Sequence, residues 1–246
     1  MRFWDYLVRL VQFDLGTSFR TREPVMDLIA ARIWPSLQLA LSAMALAVTV
    51  GIPLGFLAAM RPGSLLDSIT MIGAVSGLSM PQFWLGLLLM YVFALQLGWL
   101  PSFGYGEGRL RNLILPAIAL GFAPLALLAR TTRAGVLEVM ASDHIRTAMA
   151  KGASPSQMVR WHVLRNVMVL IVTTMGLQIG SLLGQALVIE KLFSWPGLGS
   201  LMVDSVAIRD IPVVQGTILV IVLWFLVINV LVDVIYAAID PRISLR

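Results

Sequence analysis

Asp143 to Asn166 reads D-H-I-R-T-A-M-A-K-G-A-S-P-S-Q-M-V-R-W-H-V-L-R-N, the longest polar and basic interval in an otherwise apolar chain. Its punctuation predicts short helices with a tight break between them. Ser142 stands at the N-cap of a helix that starts at Asp143, an acid that suits the positive N-terminal end. Gly152 ends that helix, because only glycine takes the left-handed conformation after a helix without steric cost. Lys151 puts a cation in the last turn, where the dipole favours it. Ser154-Pro155-Ser156-Gln157 then reopens a helix, with serine at the N-cap, proline at the first helical position and glutamine at the third. This second helix runs through Arg160, Trp161, His162, Arg165 and Asn166 into an apolar span. The interval therefore reads as a helical knob between two membrane helices, shaped for a soluble partner to grip.

The rest of the chain supports the membrane setting. Of 246 residues, 59% are hydrophobic and 13% charged, with mean hydropathy +0.88; soluble domains carry about 25% charged and about 45–50% apolar residues. A net charge of +5 in such a chain reflects loops meeting anionic lipid rather than nucleic-acid binding. The chain contains no cysteine, which excludes disulfides, thiolate chemistry and cysteine-ligated metals. His144 and His162 both lie in the polar interval, not at metal-ligand spacing, so no metal is expected.

Residues 1–34 are mixed in character and contain no run near the roughly 20 apolar residues that span a bilayer. Asp5, Arg9 and Asp14 also interrupt any signal-peptide core. An interfacial amphipathic helix with Phe3, Trp4, Leu7, Leu10 and Val11 on one side fits this segment. Five apolar spans follow: Pro35–Met60, about Ile69–Leu97 with Gly77 and Pro81 inside, about Leu113–Ala129, about Val167–Ile189 and about Val213–Ile239. With the polar interval inside, the cytoplasm holds Arg61, Arg130, Arg133, Arg146, Lys151, Arg160, Arg165, Arg242 and Arg246. The two loops on the other side hold Arg109, Arg111, Lys191 and Arg209, in keeping with the positive-inside rule. The segment 1–34 then lies outside although it carries five arginines, which makes sense if a preceding helix translocates it.

R-T-A-M-A-K-G-A-S at 146–154, followed by H-V-L-R-N at 162–166, resembles the cytoplasmic coupling motif of bacterial ABC-importer permeases. Gly152 matches the motif glycine, Ala148 its second alanine and Leu164 its leucine. Arg146 and Thr147 stand where the general motif has Glu-Ala, and Arg165 where it has proline. These departures are the form of the dipeptide/oligopeptide/nickel branch, which the chain resembles from about Asp14 onward. D-L-G-T-S-F-R at 14–20, F-S-W-P-G-L-G at 193–199 and D-P-R at 240–242 extend the resemblance. It implies an all-α, polytopic helical bundle of the type I permease kind, in the bacterial cytoplasmic (inner) membrane. Residues 35–246 would form the permease domain, with its coupling loop at about 130–166. It further implies a second related permease, two ABC ATPase subunits that bind ATP and Mg, and an extracytoplasmic solute-binding protein as partners. The family's first span precedes the region matched here, so a missing start is expected.

By this resemblance Asp143, Arg146, Thr147, Ala148, Lys151 and Gly152 would seat in a cleft on the ATPase and pass its motion to the membrane helices. In the fourth span Gly176, Gly180 and Gly184 recur every four residues, a smooth face for helix packing. Gln178, Ser181 and Gln185 cluster on another face, roughly 130° away. Two readings of that polar face stay open: it lines the translocation path, or it hydrogen-bonds neighbouring helices. Asn229 and Asp233 lie one turn apart near the end of the last span, where a structural partner for the acid outweighs proton coupling. Trp195, Pro196 and Gly197 sit in a Gly/Pro turn that reads as an interfacial aromatic anchor, or, by resemblance, as the outer loop beside the pathway mouth. No G-x-x-x-x-G-K-[ST], H-E-x-x-H or G-x-S-x-G occurs, so the chain carries no P-loop or motif of a common hydrolase. A permease subunit of an ATP-driven peptide importer, without its own ATPase site or cofactor, is the function expected. An ion-coupled secondary transporter is the alternative, and an intramembrane enzyme a more distant one.

Overall fold

A computed structural model describes residues 14–152, 154 and 157–239, with the side chains of Glu107, Arg160, Asp233 and 235–239 outside the description. Also outside the described residues are the interfacial helix expected before Asp14, the residues Pro155 and Ser156, and the ending Asp240-Pro241-Arg242. Among the described residues the regular structure is helical, apart from one antiparallel bridge between Thr17 and Pro24.

Helix α1 covers Val25–Leu46, passes through a π-helical turn at Ala47–Gly51 and continues as α2, Ile52–Met60. Together they make an apolar rod of 36 residues. The apolar run alone predicts a span from Pro35, but the helix starts at Val25, with Pro35 inside it. The reason is amphipathic spacing. Val25, Ile29 and Ile33 fall on one face at i, i+4 and i+8, and that face packs against Leu198 and Val213. Asp27 and Arg32 interrupt the apolar run without interrupting the helix.

Arg61 ends α2, and Gly63, at φ 75°, turns the chain into α3, Leu65–Ser79. The Ser64 hydroxyl accepts from the Asp67 amide while the Asp67 carboxylate accepts from the Gly63 amide, a reciprocal cap that satisfies two otherwise orphaned donors. The expected second span is not one straight helix. α3 and α4, Gln82–Leu89 with a π continuation through Gln96, are bent by 109°. Pro81 supplies the cause: it lacks an N–H and biases its predecessor away from helix, and Met80 is extended at φ −86°, ψ 127°.

Helix α5 runs from Leu110 to Ala141, followed after Ser142 by α6, Asp143–Ala150. A π-helical turn at Met158–Val163 opens α7, Leu164–Leu192; α8 is Leu198–Ala207 and α9 is Ile211–Ile239. Four described stretches are long and apolar enough to cross a membrane, and the bent α3–α4 pair makes a fifth. Large apolar side chains point outward, among them Leu65, Ile69 and Ile72 on α3, as hydrocarbon surroundings permit.

The chain divides into two compact units. Among the described residues the first joins 14–41, 83–120 and 181–227. Its core is the Val25, Ile29, Leu198 and Val213 cluster, with Leu15, Leu28 and Leu201 packed against it. Residues 14–24 form a strap over this core. The Ser18 hydroxyl donates to the Asp210 carboxylate at 2.5 Å, the Phe19 amide donates to the same group at 3.1 Å, and the Arg20 guanidinium donates to the Ile208 carbonyl.

Among the described residues the second unit joins 42–82, 121–180 and 228–239. Here Gly51 and Gly55 bring their backbones against the carbonyls of Leu125 and Ala129 on α5, leaving no room for a methyl group at either glycine. Close approach of this kind is what small residues four apart permit between membrane helices. The Arg133 guanidinium grips both Asp67 carboxylate oxygens, at 2.5 and 2.8 Å, a bidentate pair of the strong kind.

Candidate functional site

The knob anticipated between the membrane helices is present in the second unit. Ser142 precedes α6 in an extended conformation, but its hydroxyl does not cap the helix; it donates backward to the Val139 carbonyl at 2.5 Å. The first turn relies instead on Asp143 for its favourable charge. Gly152 has φ 83°, the left-handed conformation expected of a helix stop. Beyond it, the Ser154 amide donates to the Gln157 side-chain carbonyl at 3.0 Å, and the Gln157 amide donates to the Ser154 hydroxyl at 3.3 Å. Both bonds of the capping box therefore form.

α6 is anchored by one side chain, Ile145, which is fully buried. The remaining face is open. Asp143 and Arg146 pair at 3.5 Å with side chains 96% and 72% exposed, a surface pair of little energetic weight. Thr147 donates its hydroxyl to the Asp143 carbonyl, Ala148 is half-buried, and Lys151 and Gly152 are exposed. The arrangement is a short, well-ended rod held to its parent helices by a single apolar pin, with charge and small residues outward.

The polar and glycine faces of α7 are less uniform than their spacing implies. Gly176 is buried against Val232 of α9, where a methyl group would collide. Gly180 is buried as well, but Gly184 is exposed with open space around it and meets no helix among the described residues. Gln178 and Ser181 are partly buried and Gln185 exposed, with the Gln185 side-chain amide donating to the Ser181 hydroxyl at 3.2 Å.

The Gly/Pro turn in the first unit corrects the anchor reading. Trp195 is fully buried. Its indole N–H donates to the Pro35 carbonyl at 2.8 Å, and the Tyr105 ring meets it edge-on at 4.8 Å between centroids. A buried indole with its donor satisfied is a packing element, not a side chain floating at an interface.

Glu190, which spacing did not single out, organises this turn. It is fully buried and accepts from the Ser36 hydroxyl at 2.5 Å and from the Gly199 and Ser200 amides at 2.7 and 3.1 Å. Ser36 in turn accepts from the Leu198 amide at 2.7 Å. The start of α8 is thereby fixed to α1 and α7. Gly197 must lack a side chain because the Glu190 carboxylate occupies the space a methyl group would need. A single acid ending an apolar run next to a Gly/Pro turn was the available signal, since a buried acid must find donors.

Membrane-length helices interrupted by an exposed, well-stopped helical knob define a polytopic membrane protein that presents a docking element. Residues 51–245 match the family described as binding-protein-dependent transport system inner membrane component, and the chain belongs to that family. It is a permease subunit of an ABC importer, a multi-pass protein of the bacterial inner membrane. Such permeases work with ATPase subunits, a partner permease and a binding protein. The chain is 49% identical over 245 residues to the glutathione transport system permease protein GsiC of Escherichia coli O6:H1 (strain CFT073), covering 100% of this chain and 79% of that one. It is 48% identical, with the same coverage, to the GsiC protein of Escherichia coli strain K12. Among solved structures, an inward-facing conformation of the MetNI methionine ABC transporter superposes with TM-score 0.72 at 21% identity, over 89% of this chain and 99% of that one. An amino acid ABC transporter with histidines superposes with TM-score 0.66 at 16% identity, over 89% and 95%. At these identities the two structures speak to the fold.

Proposed function

We propose that this permease forms half of an ATP-driven import path for short peptides, di- and oligopeptides and tripeptides of the glutathione kind. The α6 knob receives the motion of a separate ATPase subunit on the cytoplasmic side. The observation that carries the coupling role is the exposed rod Asp143–Ala150, stopped by Gly152 and set between two membrane-length helices. Asp143, Arg146, Thr147, Ala148, Lys151 and Gly152 form the seat. The substrate class is supported by the relatives, which carry the name of a tripeptide transport system along the whole of this chain. Gln178, Ser181 and Gln185 supply polar groups to the path, and ATP and Mg bind to the partner subunits. The turn at Trp195, Pro196 and Gly197 lies on the side that meets the solute-binding protein.

The test is reconstitution of the complete complex in vesicles. Labelled di- and tripeptides should accumulate only with ATP on the ATPase side, and free amino acids should not compete. In the same preparation, Gly152→Val places a β-branched residue at a positive φ, a local strain of about 1–3 kcal/mol that displacing the knob relieves. Membrane levels should stay normal while transport and binding-protein-stimulated ATP hydrolysis are lost. Uptake driven by an ion gradient without ATP, or full stimulation in the Gly152→Val complex, would overturn the proposal.

A further inference from the structure

Beside α6 lies a cleft of about 370 Å³. His144 and Thr147 line it from α6, Lys151 and Gly152 from the end of that helix, and Gln157 and His162 from the segment that opens α7. The two imidazole rings have centroids 6.5 Å apart, close enough for one two-oxygen acceptor to bridge them.

The lining is rich in donors and contains no carboxylate. Lys151 offers three N–H groups and has no acidic partner among the described residues. Gln157 spends its carbonyl oxygen on the Ser154 amide, so its remaining polar end is an NH₂ donor. Thr147 spends its proton on the Asp143 carbonyl. The acid on α6, Asp143, is paired with Arg146 on the open face. At the other edge the Ser142 hydroxyl lies 3.5 Å from the His144 ring, and the exposed Arg165 follows on α7. A cleft of this composition offers cationic and neutral groups but no anion to answer Lys151.

We infer that the cleft takes the carboxylate of an aspartate or glutamate on the ATPase subunit, bridged by His144 and His162 and held by Lys151. The inference rests on the coupling role proposed above and adds to it a chemical identity for the partner group. Charge-assisted bonds to a carboxylate are about twice as strong as neutral ones, and the cationic form of histidine is favoured by a nearby anion.

The experiment uses the complete reconstituted complex and a zero-length carbodiimide, which joins an amine to a carboxylate it touches. Mass spectrometry should find Lys151 linked to one Asp or Glu of the ATPase, and Lys151→Gln should abolish the link. His144→Gln combined with His162→Gln should weaken ATPase retention about tenfold, with membrane levels unchanged. Absence of the link together with unchanged retention overturns the inference. A loss confined to bilayers containing anionic lipid also overturns it, assigning the cleft to a phosphate headgroup. The Gly152→Val complex separates the two claims. If that variant uncouples while the histidine variants are silent, the knob couples but the cleft holds no acid; if both are silent, the coupling role itself falls.

Discussion

Asp210 shows how much a single side chain at a helix start can hold. Burial of its carboxyl opposes the charge, but the Ser18 hydroxyl and the amides of Phe19, Arg20 and Val213 outweigh it and keep the group below its ordinary value of 3.8. A carboxylate whose value is lowered on folding stabilises the fold above its unfolded value, and that contribution is lost as pH falls through the lowered one. The strap 14–24 should thus stay protected from proteolysis at neutral pH and open progressively as pH falls below 3.8. Asp210→Asn should open it already at pH 7. Equal protection of the wild-type and Asp210→Asn straps at pH 7 would show that Asp210 does not hold it. Neither Asp210 nor Glu190 was legible as an anchor from spacing. Each lies far in sequence from its partners, and periodicity reports only neighbours along the chain. Gly152 was legible because a helix stop is a local event written in local residues.

Between elements, the small-residue contacts of the second unit make a matched pair of substitutions available. Gly55 faces the Ala129 backbone with no room for a methyl group, whereas Gly73 on α3 has nothing within 4 Å of where one would stand. Gly55→Ala should force α2 and α5 apart at a cost of about 1–3 kcal/mol. Gly73→Ala should be neutral or gain up to about 1 kcal/mol from helix propensity. Thermal unfolding of the two variants in one detergent reads the difference, and equal midpoints would refute the close crossing. The regular repeat at Gly176, Gly180 and Gly184 drew attention in the sequence, yet Gly184 stands open, while Gly51 and Gly55, which the repeat does not include, meet the backbone of a neighbouring helix. A spacing of four residues says that a smooth face exists. It does not say that a neighbour occupies it.

At the scale of the molecule, the spans and the knob were legible because hydropathy and capping are properties of contiguous sequence. The 109° bend at Pro81 and the start of α1 at Val25 escaped a reading based on apolar run length, which weighs neither backbone geometry nor amphipathic spacing. Orientation follows from the loop charges and is directly measurable. A reporter fused after Arg246 should be cytoplasmic and one inserted in Gly104–Gly108 extracytoplasmic; finding both on one side would reject the map. The Glu190 network also has a consequence in time. Ser36 meets its acceptor 154 residues further along the chain, and the Leu198 amide that Ser36 receives lies 162 residues away. A ribosome adding about 5–20 residues per second leaves Ser36 without these partners for about 8 to about 30 seconds. α1 must therefore enter the bilayer before its own fastening has been made. The order of synthesis makes the last third of the chain the part that completes the first.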